Sequence, residues 1–131
     1  MSKKIVWIED DISIIQSVIE QTEDAGYEVI KIQSISDAEN SLDIIREADL
    51  ILLDMILLPS DDDNLYVRYA GRDFLLKLRE TYNITTPVIV FTVVTQEKEL
   101  EGLDVADTII KPVLPGILKE KIEKVLKNNE S

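Results

Sequence analysis

The sequence contains no cysteine and no histidine. Without cysteine, the chain can form neither a disulfide framework nor a thiolate metal site. Without histidine, it lacks the side chain that most often serves as a general base and most often binds zinc. Any chemistry in this protein therefore has to use carboxylates, hydroxyls, lysine or a hard cation.

Positive charge is also scarce, since 14 Lys and Arg residues stand against 26 Asp and Glu residues, for a net charge of −12. A surface of this sign repels phosphate and anionic lipid, so direct binding to nucleic acid or to membranes is not expected. The apolar run after Lys3 and Lys4 is interrupted at Glu9, which makes it too short for a signal peptide or a membrane span. These features predict a cytoplasmic protein.

Several short apolar runs have the length of strands. Two of them are continuously apolar, which is typical of parallel strands that are covered on both faces. The predicted strands are Ile5–Ile8, Val29–Ile32, Leu50–Leu53, Val88–Phe91 and Thr108–Ile110.

Helical spacing appears between these runs. The predicted helices are one from an N-cap at Asp11 to Gly26, one with a capping box of Ser36 and Glu39, one after Gly71, a short one over Gln96–Glu101, and one that opens at Pro115. Strands that alternate with helices imply right-handed parallel βαβ units. We therefore predict one α/β domain over residues 1–131, with a frayed polar tail over 127–131. Its expected fold is a flavodoxin-like, doubly wound sheet of five parallel strands in the order 2-1-3-4-5, with five helices in three layers.

The polar residues that are candidates for a functional site come directly after the predicted strands. Glu9 and Asp10 come after the first strand, Asp54 after the third, Thr92 after the fourth and Lys111 after the fifth. In open parallel sheets, ligands bind beyond the carboxyl ends of the strands, where the winding reverses. These carboxylates, the hydroxyl and the ammonium group should therefore meet in one pocket.

Such a pocket suits phosphoryl chemistry. Clustered carboxylates repel one another unless a cation or a proton intervenes, and oxygen ligands favour a hard ion such as Mg²⁺. A cation held there neutralises phosphoryl oxygens and orients the phosphoryl group towards a nucleophilic Asp. Each residue also has an ordinary interpretation, for example helix capping by Asp10 or Asp11. The agreement of four strand ends favours the functional interpretation over these separate ones.

Four motifs, in this order, resemble the receiver domain of two-component response regulators. The segment Ile5–Asp11 resembles the receiver opening, and Asp49–Asp54 resembles the phosphoacceptor strand. The segments Pro87–Thr92 and Ile110–Pro112 complete the pattern, and Gly71–Arg79 resembles the helix after the acceptor loop. The resemblance covers essentially the whole chain and implies a stand-alone signalling domain rather than an enzyme.

The resemblance also implies a metal site that binds Mg²⁺, or Mn²⁺ in its place. Asp10 would ligate the ion directly, together with the phosphoacceptor Asp54. Glu9 would contact it through water, and the backbone carbonyl of Ile56 would be a further ligand.

Thr92 and Lys111 would bind the phosphoryl group, and the peptide bond between Lys111 and Pro112 would be cis. The phosphoryl donor would be a sensor histidine kinase, a phosphotransfer protein or a small phosphodonor. The output would be a switched protein-interaction surface that acts on a separate effector protein or passes the phosphoryl group on.

An insertion over about residues 57–70 departs from the family pattern, because it is long for a connection in a compact α/β domain. It is acidic at Asp61–Asp63 and then carries Tyr66 and Tyr69. A solvated loop is one interpretation. A partner-binding or dimer-forming lid is the other, since aromatic residues are enriched at interfaces.

Two other functions compete with phosphoacceptance. A degenerate receiver that only binds proteins is favoured by Val93 after Thr92, and by Thr108 and Ile109 where receivers carry a switch aromatic. An aspartyl phosphatase would typically carry a second acid two residues after the nucleophile, and that position is Ile56.

Overall fold

A computed structural model describes residues 3–55, 70–92 and 102–128. The strands in these ranges are β1 Lys4–Ile8, β2 Glu28–Ile32, β3 Leu50–Asp54, β4 Val88–Thr92 and β5 Asp107–Ile110. The helices are α1 Ile12–Asp24, α2 Ile35–Glu39, α3 Leu42–Glu47, α4 Ala70–Glu80 and α5 Pro115–Asn128. Each strand agrees with its predicted bounds to within one residue at either end.

The five strands form one parallel sheet in the order β2-β1-β3-β4-β5, as predicted. The winding reverses between β1 and β3, which are hydrogen-bonded neighbours with Ile8 beside Leu53. On the other side of β3, Asp54 lies beside Phe91 of β4. The carboxyl ends of β1, β3, β4 and β5 therefore lie next to one another along one edge of the sheet.

Two apolar cores cover the faces of the sheet and complete the predicted three layers. On one face, α2, α3 and α4 pack Ala38, Ile45 and Phe74 against the sheet. On the other face, α1 and α5 pack residues such as Ile19 and Ile122. Both faces of β3 and β4 are thus buried, which accounts for their continuously apolar sequences.

Residues predicted at the ends of two helices are found there in the structure. Asp11 is the N-cap of α1 and accepts a hydrogen bond from the Ser13 backbone N–H, at 3.1 Å. Gly26 follows α1 with a φ of 100°, a conformation that glycine adopts without strain. Helix α5 begins at Pro115, a residue whose fixed φ suits the first turn.

The capping box predicted at Ser36 and Glu39 is wrong. The N-cap of α2 is Ser34, whose side chain accepts a hydrogen bond from the Asp37 backbone N–H at 3.1 Å. Ser34 is extended and can cap, whereas Ser36 already lies in the first turn of α2. The predicted second helix is also divided into α2 and α3, with Asn40 and Ser41 between them.

Other predictions fall partly or wholly outside the described residues. This applies to the helix over Gln96–Glu101 and to residues 57–69 of the predicted insertion, whose last residue, Ala70, begins α4. Helix α5 continues through Asn128, so the first two residues of the predicted tail are helical. Within the described part of the chain, no helix combines the length and apolarity needed to cross a membrane.

Candidate functional site

The carboxyl edge of the sheet carries a compact acidic cluster. Glu9 and Asp10 follow β1 and Asp54 is the last residue of β3, so the parallel pairing of β1 with β3 brings them together. Each contributes a carboxylate oxygen, and these oxygens lie within 4.8 Å of one another. Glu9 and Asp54 are buried, whereas Asp10 is only partly covered. Three carboxylates are therefore concentrated where little water can screen their repulsion.

Lys111 provides the positive charge that faces this cluster. Its ammonium nitrogen donates a hydrogen bond to Asp54 Oδ2 at 2.5 Å and lies 3.6 Å from Glu9 Oε1. The backbone N–H of Lys111 donates to the carbonyl oxygen of Thr92 at 2.9 Å, which fixes the start of the β5–α5 connection. A single ammonium group thus bridges the acceptor candidate on β3 and the acid that follows β1.

Burial and neighbouring charge shift the protonation of Glu9. Burial is the largest cause and raises the pKa of Glu9 to about 9, with the adjacent Asp54 carboxylate acting in the same direction and Lys111 against it. For Lys111, burial opposes the charged form, but attraction to Asp54 and Glu9 prevails and raises the pKa of the ammonium group. Lys111 therefore stays charged at neutral pH, whereas Glu9 favours its protonated form.

The residues of the cluster fit a bound divalent cation. Among the described residues, none supplies a hydrogen-bond donor to the buried Glu9 Oε2. Buried carboxylate oxygens in such surroundings are stabilised by a proton or by a metal, and a set made only of oxygen donors suits Mg²⁺ or Mn²⁺. Glu9, Asp10 and Asp54 would hold such an ion.

Thr92 and Pro112 occupy the positions expected from the sequence. Thr92 ends β4, is buried, and pairs with Ile110 on β5. The peptide bond between Lys111 and Pro112 is cis, as predicted. Ile56, whose backbone carbonyl is a predicted ligand, lies outside the described residues, and so does Val93.

Gly71 contributes to this edge in a way that the sequence did not indicate. Its backbone N–H donates a hydrogen bond to the Met55 carbonyl oxygen at 3.0 Å. A Cβ atom at Gly71 would lie 2.2 Å from the Asp54 carbonyl oxygen and 2.6 Å from Met55 Cα. The first turn of α4 can therefore approach the end of β3 only because residue 71 has no side chain.

Known structures that this chain resembles include receiver domains and response regulators. A two-component response regulator from Clostridium difficile is 25% identical, with a TM-score of 0.78 and an alignment over 99% of this chain and all of that one. The chemotaxis response regulator CheY4 of Vibrio cholerae is 26% identical, with a TM-score of 0.73 over 95% of this chain and 99% of that one. A CheY-like receiver domain protein from Methanospirillum hungatei is 24% identical, with a TM-score of 0.75 over 99% and 98% of the two chains.

No protein-family model matches the sequence, and no curated protein matches it either. The likeness is thus carried by the fold over nearly the full length of both partners. The strand order and the acidic cluster at the carboxyl edge agree with it. The chain is therefore a receiver domain in fold, of the kind found in two-component response regulators.

Proposed function

We propose that this protein is a phosphoacceptor that receives a phosphoryl group on Asp54 in the presence of Mg²⁺. The observation that carries the proposal is the arrangement around Asp54, which has two further carboxylates and the Lys111 ammonium group within reach. A cation supplies charge neutralisation for the phosphoryl oxygens when it is bound. No histidine or cysteine is needed for this chemistry.

The transfer uses Asp54 as the nucleophile. One of its carboxylate oxygens forms a bond to phosphorus while the bond from phosphorus to the donor breaks, and the donor group leaves with that electron pair. Lys111 already donates to Asp54, so it is positioned to move its hydrogen bond to an oxygen of the arriving phosphoryl group. Thr92, at the end of the neighbouring strand, supplies a hydroxyl from the other side of β3.

The biological setting is proposed from the likeness to response regulators. The donor is a phosphohistidine of a sensor kinase or phosphotransfer protein in the cytoplasm. Phosphorylation adds about −1.5 to −2 charges at neutral pH. Recruitment of Thr92 and Lys111 to those charges shifts the end of β4 and the β5–α5 connection. The surface around β5 and α5 then changes its affinity for an effector protein.

Intact mass spectrometry after incubation with acetyl phosphate tests this proposal. We expect a single phosphoryl adduct with Mg²⁺ and none with EDTA. Asp54→Asn should abolish the adduct, because an amide is not a nucleophile for phosphorus. Asp43→Asn, which changes a fully exposed carboxylate on α3, should leave it intact.

The alternative function is a receiver that binds partner proteins without being phosphorylated. The partly exposed Thr108 favours it, because this position on β5 lacks the aromatic side chain that receivers use to sense the phosphoryl group. Absence of an adduct in a folded protein that still binds Mg²⁺, with acetyl phosphate and with a phosphorylated phosphotransfer protein, would favour this function. An adduct that persists in Asp54→Asn would contradict the assignment of the acceptor.

A further inference from the structure

Two aromatic rings stack beneath the candidate site. Trp7 of β1 and Phe91 of β4 are both buried, their ring centroids are 5.1 Å apart, and their planes are inclined by 10°. Both side chains belong to the core between the sheet and the α1 and α5 helices. Trp7 is the only tryptophan in the sequence.

The two stacked rings come from strands on either side of β3 and meet across it. Because β3 lies between β1 and β4, and neighbouring strands are about 4.8 Å apart, the backbones that carry the two rings are separated by roughly 10 Å. Trp7 lies beside Leu52 and Phe91 lies beside Asp54, so the rings meet over β3 just before its last residue. An aliphatic pair at these positions would be too short to make this contact.

Each of the two aromatic residues lies close in sequence to a different part of the candidate site. Trp7 lies two residues before Glu9, on the strand that Glu9 and Asp10 follow. Phe91 precedes Thr92, and its backbone carbonyl accepts a hydrogen bond from the Met55 N–H at 3.1 Å. The backbone of Phe91 therefore fixes the residue directly after Asp54, while its ring contacts the strand that leads to the acids.

We propose that the Trp7–Phe91 stack is a positioning device for the cation site. It sets the spacing of β1 and β4 across β3, and thereby the separation between the acids after β1 and Asp54 with its flanking residues. Aromatic pairs prefer particular offsets and angles, so the stack restricts this spacing more than loosely packed aliphatic side chains would. This inference rests on the proposed function, because it concerns the site that holds the cation.

Metal affinity, measured apart from phosphorylation, tests this role. The concentration of free Mn²⁺ is measured by electron paramagnetic resonance while the full chain is titrated. Competition with Mg²⁺ then shows whether both ions bind at the same site. Trp7→Leu removes the stack while keeping an apolar side chain. We expect it to raise the Mn²⁺ dissociation constant by about three- to tenfold, which corresponds to the strength of an aromatic pair.

Two variants separate positioning from general loss of packing. Trp7→Phe retains an aromatic pair and should restore most of the affinity. Ile122→Ala empties a buried position of the same core on α5, so it should lower stability without changing the dissociation constant. Phe91→Leu repeats the test from β4 if Trp7→Leu does not fold, and it keeps Trp7 as a fluorescence reporter.

The outcomes distinguish this inference from the function on which it rests. Weaker binding in Trp7→Leu or Phe91→Leu, with recovery in Trp7→Phe, supports the positioning role. Equal affinity in Trp7→Leu and Ile122→Ala would overturn it while leaving the metal site in place. If the unmodified protein bound neither Mn²⁺ nor Mg²⁺, the proposed function and the positioning role would both fall.

Discussion

Glu9 lies in an environment that is poorly suited to its charge. It is buried, Asp54 lies beside it, and Lys111 shares its ammonium group between the two carboxylates. In the absence of metal, the protonated form of Glu9 relieves the repulsion inside the cluster. A bound cation reverses this preference, because a metal ligand has to be deprotonated.

A consequence is that the metal-free protein should lose stability as pH rises. The folded pKa of Glu9 is raised to about 9 from an ordinary value of 4.5, so the folded state holds a proton that the unfolded state has released. The stabilisation is complete below the unfolded pKa and is lost as pH rises towards the folded one. The loss from this single group is at most about 1.4 kcal/mol per pH unit.

Urea unfolding in EDTA at about pH 6 and about pH 8 measures this effect. Glu9→Gln should flatten the pH dependence and stabilise the metal-free protein at the higher pH. Glu20→Gln, at an exposed position of α1, serves as the matched control and should keep the wild-type slope. Identical slopes for Glu9→Gln and the wild type would show that Glu9 does not titrate as proposed.

Helix α4 depends on a close approach to β3. The hydrogen bond from Gly71 to Met55 and the clash predicted for any Cβ at residue 71 show that this helix begins directly against the backbone that carries Asp54. Close packing of this kind transmits displacement, because interiors have little free space to absorb it. We therefore expect a displacement of the start of α4 to be transmitted to Asp54.

Two glycine substitutions test this coupling. Gly71→Ala should destabilise the protein by about 1–3 kcal/mol and weaken Mg²⁺ binding, since a methyl group has to displace Asp54 or α4. At Gly116, in the first turn of α5, an added Cβ would make an ordinary van der Waals contact at 3.8 Å, so Gly116→Ala should stabilise the protein by about 0.5–1 kcal/mol. Chemical denaturation and Mg²⁺ titration of both variants provide the comparison. Equal effects at the two positions would contradict the close approach.

The elements also show what sequence patterns can and cannot predict. The bounds of the strands and the residues at their ends could be predicted, because the apolar runs stop at polar residues such as Asp54 and Thr92. A pattern of this kind is visible in the sequence itself. The choice of Ser34 over Ser36 depends on which serine is extended. The Trp7–Phe91 stack depends on which strands lie on either side of β3. Such a contact joins residues that are far apart in the sequence, so no local sequence pattern predicts it.

On the scale of the whole molecule, a net charge of −12 opposes folding through self-repulsion. Any salt relieves part of that repulsion by screening exposed charges, and this effect should not depend on which cation is added. The acidic cluster at the carboxyl edge is different, because its carboxylates are close together and largely buried. Salt screens buried groups poorly, so an added cation has to enter the cluster itself in order to relieve their repulsion.

Mg²⁺ should therefore stabilise the protein beyond the effect of NaCl at the same ionic strength, and the extra effect should saturate. At a concentration of about 100 times the dissociation constant, the added stability is about 2.7 kcal/mol, because the ion binds the folded state alone. Thermal unfolding followed by circular dichroism in matched MgCl₂ and NaCl series measures this difference. Asp10→Asn should remove the saturable stabilisation by Mg²⁺ and keep the stabilisation that comes from screening. Asp43→Asn, at an exposed position, should keep both. Indistinguishable MgCl₂ and NaCl curves would mean that the acidic cluster contributes only to the overall charge of the molecule.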